Sequence, residues 1–561
     1  MSERIASLAR AMTSRVARFG CLLAAYAGAV ALLTYPLAAR LTTHLPATVI
    51  ACSFDTLYMA WVLAFESHAL LTGASLLDTN IFFPARRTLF LGDTGFGALP
   101  IFFPVFATTG NPTLAINLVW LIGLVLTAAS LHLVVRRWTT SDGAGFVAAW
   151  TFLTAPWVYR VHIPSAPSYA LLLYMPVILY LAATPRAGRD VLWLWPLLVL
   201  QGLSDVVYVA AAVMAPLLVL GVVRLLRPST RAAGTSLLLV LLLSILTLAP
   251  VYAGHWLAQQ AHPGMGTWWE GPPVAVRLPG APFARLAPLA LAWPVWVLVG
   301  LGLVVYFVAG RRKDLHRAWA HAALWASVGA YASLGPLVSW GSGAGALPHA
   351  WLATQLHLYE VLRMPSRLGV AALIGVAVAA GLAFSASTRR LHPAGRLLAA
   401  ALFALLLITV ERIELGGYWT SPAIDGEGEI VRVLRAGQGP LLELPIGSDK
   451  TGDVRLHAQA MYRSIFHWRP LVNGYDSYYP AGFSARMELA AVLPRRNPLW
   501  MLQHETGVTQ ILVHLDQMVA ADAERWRGIA ITRARPDLRP VLVEKTEILF
   551  DVLPVPGTPR S

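Results

Sequence analysis

Apolar residues along this chain come in long unbroken runs, separated by short polar stretches rich in arginine. A membrane-spanning helix needs roughly 20 apolar residues. On that length the pattern predicts about eleven spans: Phe19 to Ala38, Thr113 to Val135, Gly143 to Val158, Ser168 to Ala183, Val191 to Leu203, Asp205 to Val223, Thr235 to Gly254, Pro288 to Ala309, Ala318 to Val338, Leu368 to Ser385 and Leu397 to Leu415. The run Val191 to Leu203 is short for a span, which tilting, a break or a hairpin would accommodate. Ahead of the first run stand Arg4, Arg10, Arg15 and Arg18. They resemble the start of a signal peptide, but the run that follows exceeds an h-region of about 7–15 residues, so a retained first span is expected.

Threading these runs alternately puts the basic stretches on one side: Arg136 and Arg137; Arg186 and Arg189; Arg224, Arg227 and Arg231; Arg311, Arg312 and Lys313; Arg389, Arg390 and Arg396. Loops rich in Lys and Arg stay cytoplasmic, so the N-terminus is expected inside and the C-terminus outside. The outer side then receives the loops Arg40 to Pro112, His255 to Ala287 and Ser339 to Arg367, with everything from Gly416 to Ser561. In the first loop, Asp55 to Thr72 and Phe96 to Ala107 are apolar enough to lie along the interface or dip into the membrane. After residue 416 the statistics change to charge, Pro, Gly and short alternating segments. Leu441 to Leu444 and Gln510 to Val513 read as strands, Phe483 to Leu493 and Pro498 to Thr506 as helices, and Val541 to Val552 as a strand pair. The expected fold class is mainly α: a polytopic transmembrane bundle over 1–415, with a large outer loop at 40–112, and a small extracytoplasmic α/β domain over 416–561.

Composition agrees. Of 561 residues 57% are hydrophobic and 13% charged, and the mean hydropathy is +0.60, far from a soluble domain. The formal charge of +14 is spread over short interhelical clusters rather than one soluble patch, which argues against nucleic acid as a partner. The two cysteines, Cys21 and Cys52, fall at different membrane depths, so no disulfide framework is expected. The location expected is the plasma membrane of a bacterium, from the Ala- and Arg-rich usage.

The first loop holds the sharpest chemical candidate. In "ACSFDTLYMAWVLAFESHALL", Asp55, Met59, Val62 and Glu66 share one helical face. Asp55 at the helix head is either a cap for orphan amides or a general base that takes a proton from an attacking hydroxyl. The capping alternative covers Glu66 more strongly.

Three stretches carry a resemblance: the first-loop acid followed by "TLYMAW" and "DTNIFFPARRTLFLGD", "EVLRMPSRLGVAAL" from Glu360 before a late span, and "FHWRPLVNGYDSYYP" from Phe466 in the tail. This layout resembles the membrane-embedded C-type glycosyltransferases, and bacterial multi-pass proteins with a similar first half and an outer C-terminal domain. The resemblance implies an inverting enzyme that moves a sugar from a polyprenyl-phosphate donor to an envelope glycan, lipid or protein acceptor on the outer face of the membrane. It makes Asp55 the catalytic base. Family motifs there often carry two acids; here Asp55 stands alone, and Asp93 in "FLGDTGFG" is the second acid, with a turn or cap as its other reading.

A lipid-phosphate donor needs cations at the interface, a task suited to the fork of arginine. Arg363 and Arg367 lie four apart and would share a helix face, or would snorkel or pair with Glu360. Arg160 and His162 in "WVYRVHIPS" could line the cavity or serve as interfacial anchors. Asp205 at the membrane edge should face protein or a wet cavity, as a secondary site group or a cap. Trp268, Trp269 and Glu270 suit stacking on a sugar or an interfacial belt. In the tail His467, Trp468, Arg469, Asn473, Tyr475, Asp476 and Tyr478 suit either a saccharide surface, with Trp468 and Tyr475 as sugar contacts, or docking onto the membrane loops. No cluster reaches metal-ligand spacing, so no cofactor is assigned and a divalent cation stays open. Two other classes compete: a lipid-linked sugar transporter or flippase, disfavoured because few polar residues sit inside the spans, and a non-catalytic scaffold of polysaccharide assembly.

Overall fold

The computed structural model describes residues 2–47, 53–263, 287–308, 313–335, 337–340, 343–347, 362, 364–447 and 451–554. Helices dominate. Within the described residues six helical segments are long and apolar enough to cross a membrane: 16–33, 112–139, 208–226, 228–261, 365–387 and 393–410. The other apolar runs fold differently from the expected full spans. α5 (Asp142–Leu153), α6 (Tyr174–Ala183), α7 (Leu194–Gly202) and α10 (Trp293–Val308) are 12, 10, 9 and 16 residues long. At about 1.5 Å per residue none reaches the roughly 30 Å of a hydrocarbon core. α11 (Lys313–Ser333) has the length but opens on Lys313, Asp314 and Arg317.

The centre of the bundle is α12 (Val370–Ser387). Its sequence, "VAALIGVAVAAGLAF", has no polar stripe, and a helix apolar all round belongs inside. In the span 365–387 the most apolar window is 94% buried, against 17% for the spans at 16–33 and 393–410, which lie at the periphery. Small residues bring its neighbours close, as expected for helix packing without a hydrophobic drive between helices. A Cβ on Gly375 would meet Ala326 of α11 at 2.6 Å, and one on Gly381 would meet the carbonyl of Ala144 in α5 at 2.7 Å. α4 (Pro112–Thr139) runs beside it. Asn111 caps its start by accepting from the Leu114 amide at 2.8 Å, and Arg136 and Arg137 close its last turn. At the start of α4, Thr113 touches Tyr462 of the tail, so tail and arginines occupy opposite ends of one helix.

The tail carries a four-stranded sheet of order β5-β6-β8-β7, from Leu441–Leu444, Gln510–His514, Glu547–Val552 and Leu538–Val543. β5 pairs β6 in parallel and the other pairs are antiparallel. Beneath it a buried ionic group links Glu443, Arg463, His514 and Glu547. Burial pushes the Glu443 carboxyl up, but Arg463 and His514 outweigh it and hold the group below the usual range.

Of the two apolar stretches in the first loop, the one at 55–72 is largely covered by protein rather than left free for a lipid interface. Its helix α2 (Ser53–Thr72) is buried almost throughout residues 58–67, packed between the tail helix Val454–Ser464, α4 and α3 (Leu99–Thr109). Met59, Trp61, Leu63 and Phe65 share one core with Leu441, Met461, Tyr462 and Leu471 of the tail. Backbone bonds complete the join: Leu471 N–H to Asn80 O at 2.6 Å, Phe83 N–H to Leu471 O at 2.9 Å, Phe82 N–H to Asn473 O at 3.0 Å, and Tyr478 N–H to Leu91 O at 3.1 Å. Gly474 lies where any Cβ would run into the buried Phe82 ring. Earlier still, His44–Pro46 pairs antiparallel with Thr420–Pro422.

Asn473 extends this ladder through its side chain, accepting from the Glu443 amide at 2.8 Å and donating to the Glu443 carbonyl at 2.9 Å. Asn473→Ala should destabilise the chain by about 1–3 kcal/mol for each buried group it orphans. Thermal unfolding in detergent checks this; a midpoint equal to that of the wild type would refute it.

Candidate functional site

Three segments converge at the end of the bundle that faces the tail. The first is the head of α2, where Asp55 is half-buried. Its carboxylate is engaged away from its own helix amides: the Tyr475 hydroxyl donates to Oδ1 at 3.0 Å. Tyr475 is held edge-on by Phe54 and by Tyr58, with ring centroids 5.6 and 5.5 Å away, and the Tyr58 hydroxyl donates to Asp476 at 2.8 Å.

The second segment is "GDTGFGA", residues 92–98, which threads between α2 and the turn before α8 (Tyr208–Leu226). Glycine is required here for close approach. A Cβ on Gly97 would sit 2.5 Å from the Ser204 amide nitrogen, and the Gly97 N–H donates to Leu203 O at 2.8 Å. Glu66, fully buried, anchors the other side by accepting from the Gly95 amide at 2.9 Å. Its Oε2 is without a partner among the described residues. This threading places Asp93 within electrostatic reach of both Asp55 and Asp205.

Asp205 caps α8. Its Oδ1 accepts from the amides of Val207 at 2.9 Å, Tyr208 at 2.5 Å and Val209 at 3.4 Å. Burial pushes its carboxyl up, and Asp93 adds to the effect. The capping role is thus occupied, while the same carboxylate faces Tyr169 and Arg367.

The third segment is the turn Pro365–Gly369 that opens into α12. Arg367 extends from it, its guanidinium carbon 4.9 Å from the Tyr208 ring centre and 5.6 Å from that of Tyr169. Such stacking holds a desolvated guanidinium in place. Its Nε is buried without a hydrogen-bond partner among the described residues, as is Nε2 of His162. Burial, then Arg367, push the His162 imidazole well below its ordinary value, so it stands neutral as a hydrogen-bonding group rather than a cation. Trp157 and Tyr169 flank it, at 4.9 and 5.1 Å between ring centres.

Electrostatics set the state of Asp55. Burial pushes its carboxyl up to about 6; Arg367 and the Tyr475 hydroxyl oppose this, and Asp93 reinforces it. A carboxylate so tuned is ionised at neutral pH and more basic than a solvated one.

Of the residues singled out by sequence, Asp55, Asp93, Asp205, His162, Arg367 and Tyr475 come together. Arg160 lies on the other side of its turn, where its charge acts on Tyr159 and Glu411. Trp468 stacks on His68 at 4.1 Å between ring centres, in the join between loop and tail. His467, Arg469, Asn473 and Asp476 are buried there as well, and Tyr478 bonds through its backbone to Leu91. Arg363, Trp268, Trp269 and Glu270 lie outside the described residues. Tyr169 and Tyr208, which brace Arg367, went unnoticed in the sequence; the signal available was Tyr208 three places after Asp205, on the first turn that this acid caps. Among the described residues no group of three His, Cys, Asp or Glu is placed to hold a metal ion.

Fold and site together define a multi-pass helical membrane protein with a buried acid–arginine cluster where the bundle meets its sheet-bearing tail. No protein-family profile matches the chain, and no curated protein does. Among solved structures the chain is similar to the crystal structure of ArnT from Cupriavidus metallidurans bound to undecaprenyl phosphate. The two are 12% identical over 98% of this chain and 100% of that one, with a TM-score of 0.38. A likeness that loose carries no argument about the chemistry here.

Glu66 offers a direct test of the electrostatics. Burial pushes it up to about 8, above an unfolded value of about 4.3. The folded state therefore binds the extra proton between these values, and its stability is present at low pH and lost as pH rises through 8, by up to about 1.4 kcal/mol per pH unit. Glu66→Gln should flatten the fall in unfolding temperature between pH 5 and 8. An unchanged slope would show that Glu66 titrates normally.

Proposed function

We propose that this protein is an inverting membrane glycosyltransferase. It moves a sugar from a polyprenyl-phosphate donor to an envelope glycan, lipid or protein acceptor, at the outer face of the plasma membrane with its tail outside. The observation that carries this reading is the pairing, in one buried cluster, of a carboxylate tuned to about 6 with an arginine whose buried Nε has no partner among the described residues. The first is suited to accept a proton at neutral pH and the second to receive an anion.

In this reading the acceptor hydroxyl attacks the anomeric carbon as Asp55 takes its proton. The bond from that carbon to the phosphate oxygen breaks, and its electron pair leaves with the phosphate. Arg367, held between Tyr169 and Tyr208, offsets the charge that develops there. Tyr475 holds Oδ1 of Asp55 and so orients the other oxygen toward the acceptor. Neutral His162 supplies a further hydrogen bond, and Arg363 a second cation before the same span. Asp93 adds to the upward push on the Asp55 carboxyl, which makes its ionised form a stronger base. Arg160, turned toward Glu411, anchors its turn instead.

Transfer of labelled sugar from a polyprenyl-phosphate donor pool, in membranes at matched expression, tests the assignment. Asp55→Asn keeps the shape but not the basicity, and should lower the rate by about 10²–10⁴. In the wild type the rate should rise with pH through about 6, as Asp55 ionises. Tyr475→Phe removes a bond that favours the ionised form, so that rise should move to higher pH. Equal transfer by wild type and Asp55→Asn would reduce Asp55 to a cap, and no transfer from either across several donors would favour a scaffold of polysaccharide assembly.

Arg367 makes a separate prediction. Arg367→Lys keeps the charge but loses the planar stacking on Tyr169 and Tyr208, and should retain more activity than Arg367→Gln. If the two variants are equally impaired, charge is not what Arg367 supplies.

A further inference from the structure

Away from the acid–arginine pocket, a cleft of about 430 Å³ opens where the first outer loop, the end of α9 (Arg231–Ala261) and the tail meet. Its polar lining is basic: Arg86 and Arg87 from the loop, His262 after α9 and Arg486 from the tail helix Phe483–Ala491; Pro84, Pro480 and Ala481 supply much of the rest, and among the described residues no carboxylate lines it.

The cleft is built rather than incidental. Arg486 is only 9% exposed, and its Nε is buried without a hydrogen-bond partner among the described residues. Arg87 adopts a left-handed backbone, φ 57°, uncommon for a residue other than glycine. Its amide is tied to Asp78 Oδ1 at 2.8 Å, which fixes the direction in which the loop presents the two arginines. The Arg86 carbonyl accepts from the His262 imidazole at 2.7 Å, coupling loop to helix. Three guanidinium groups from two chain segments line one concavity, and Glu505 is an acid whose charge acts on Arg486. Arginine forks match the oxygens of a phosphate.

We propose that this cleft is a second anion site, for a phosphate group, separate from the acid–arginine pocket and independent of whether that pocket transfers sugar. The phosphate arrives either on a bilayer lipid headgroup or on a soluble phosphorylated molecule. The cleft lies at the end of a 31-residue helix, roughly 46 Å long, so it stands at or above the headgroups.

The test uses the full chain and the paired variant Arg86→Gln with Arg87→Gln. Both side chains are exposed, so folding should survive, whereas Arg486→Gln alters a buried group and serves as the second variant. One arm titrates inorganic pyrophosphate into protein in neutral detergent and reads binding by calorimetry. The other compares native mass spectra from nanodiscs of phosphatidylcholine with and without phosphatidylglycerol, reading retained anionic lipid. The proposal expects binding in at least one arm, weakened about tenfold or more in the paired variant. Loss in the first arm identifies a soluble phosphate, and loss only in the second a lipid headgroup. Binding that is absent from both arms, or equal in wild type and paired variant, overturns it.

Discussion

The structure depends on the backbone ladder that joins residues 80–91 of the first loop to residues 471–478 of the tail. Buried amides and carbonyls need partners, and here segments nearly four hundred residues apart supply them to each other. Once this ladder exists, α2 is no longer a surface helix. It becomes the shared wall of bundle and tail, and its apolar faces are consumed on both sides. Tyr475 follows from the same register, since the strand-like stretch that pairs with the loop delivers its hydroxyl to Asp55. The carboxylate is thus fixed by tertiary pairing rather than by local helix chemistry.

Around that join the charges are unbalanced by design of position rather than number. Asp55, Asp93 and Asp205 share the influence of Arg367, and two tyrosine rings hold that arginine where water is scarce. Low polarizability raises the cost of every unpaired charge, so each group answers to its neighbours. Asp205 spends its lone pairs on the α8 amides and Glu66 on Gly95, which leaves Asp55 as the acid of the cluster held by a single side-chain hydroxyl.

Much of the fold was legible because apolar run length and basic loops report the bilayer directly. The helical bundle and the small sheet in the tail both follow from the pattern. Individual spans were less legible: the runs at 143–158, 168–183 and 191–203 have the composition of spans but fold as short helices at 142–153, 174–183 and 194–202 beside separate short turns, and composition does not fix where a helix stops inside protein. The acids and Arg367 could be singled out because a charge beside a membrane needs a reason. Their mutual placement could not, because it rests on Gly97 meeting Ser204 and on Tyr475 reaching back to α2, contacts with no local signature. The stretch at 466–480 showed the right residue types for either of two uses, and only the ladder separates them: most of it is consumed in joining loop to tail.

The bond between Asp55 and Tyr475 spans 420 residues of sequence. At a synthesis rate of roughly 5–20 residues per second, the acid waits on the order of 20 to 80 seconds for its partner to be made. Throughout that interval the nascent chain holds α2 without its cover, and every helix of the bundle is synthesised before the tail arrives. The cluster therefore has a birth order: it closes only after residue 475 has been made. A chain cut short between residues 410 and 475 carries the six described spans and no finished site, so arrival of the tail is itself written into the geometry around one carboxylate.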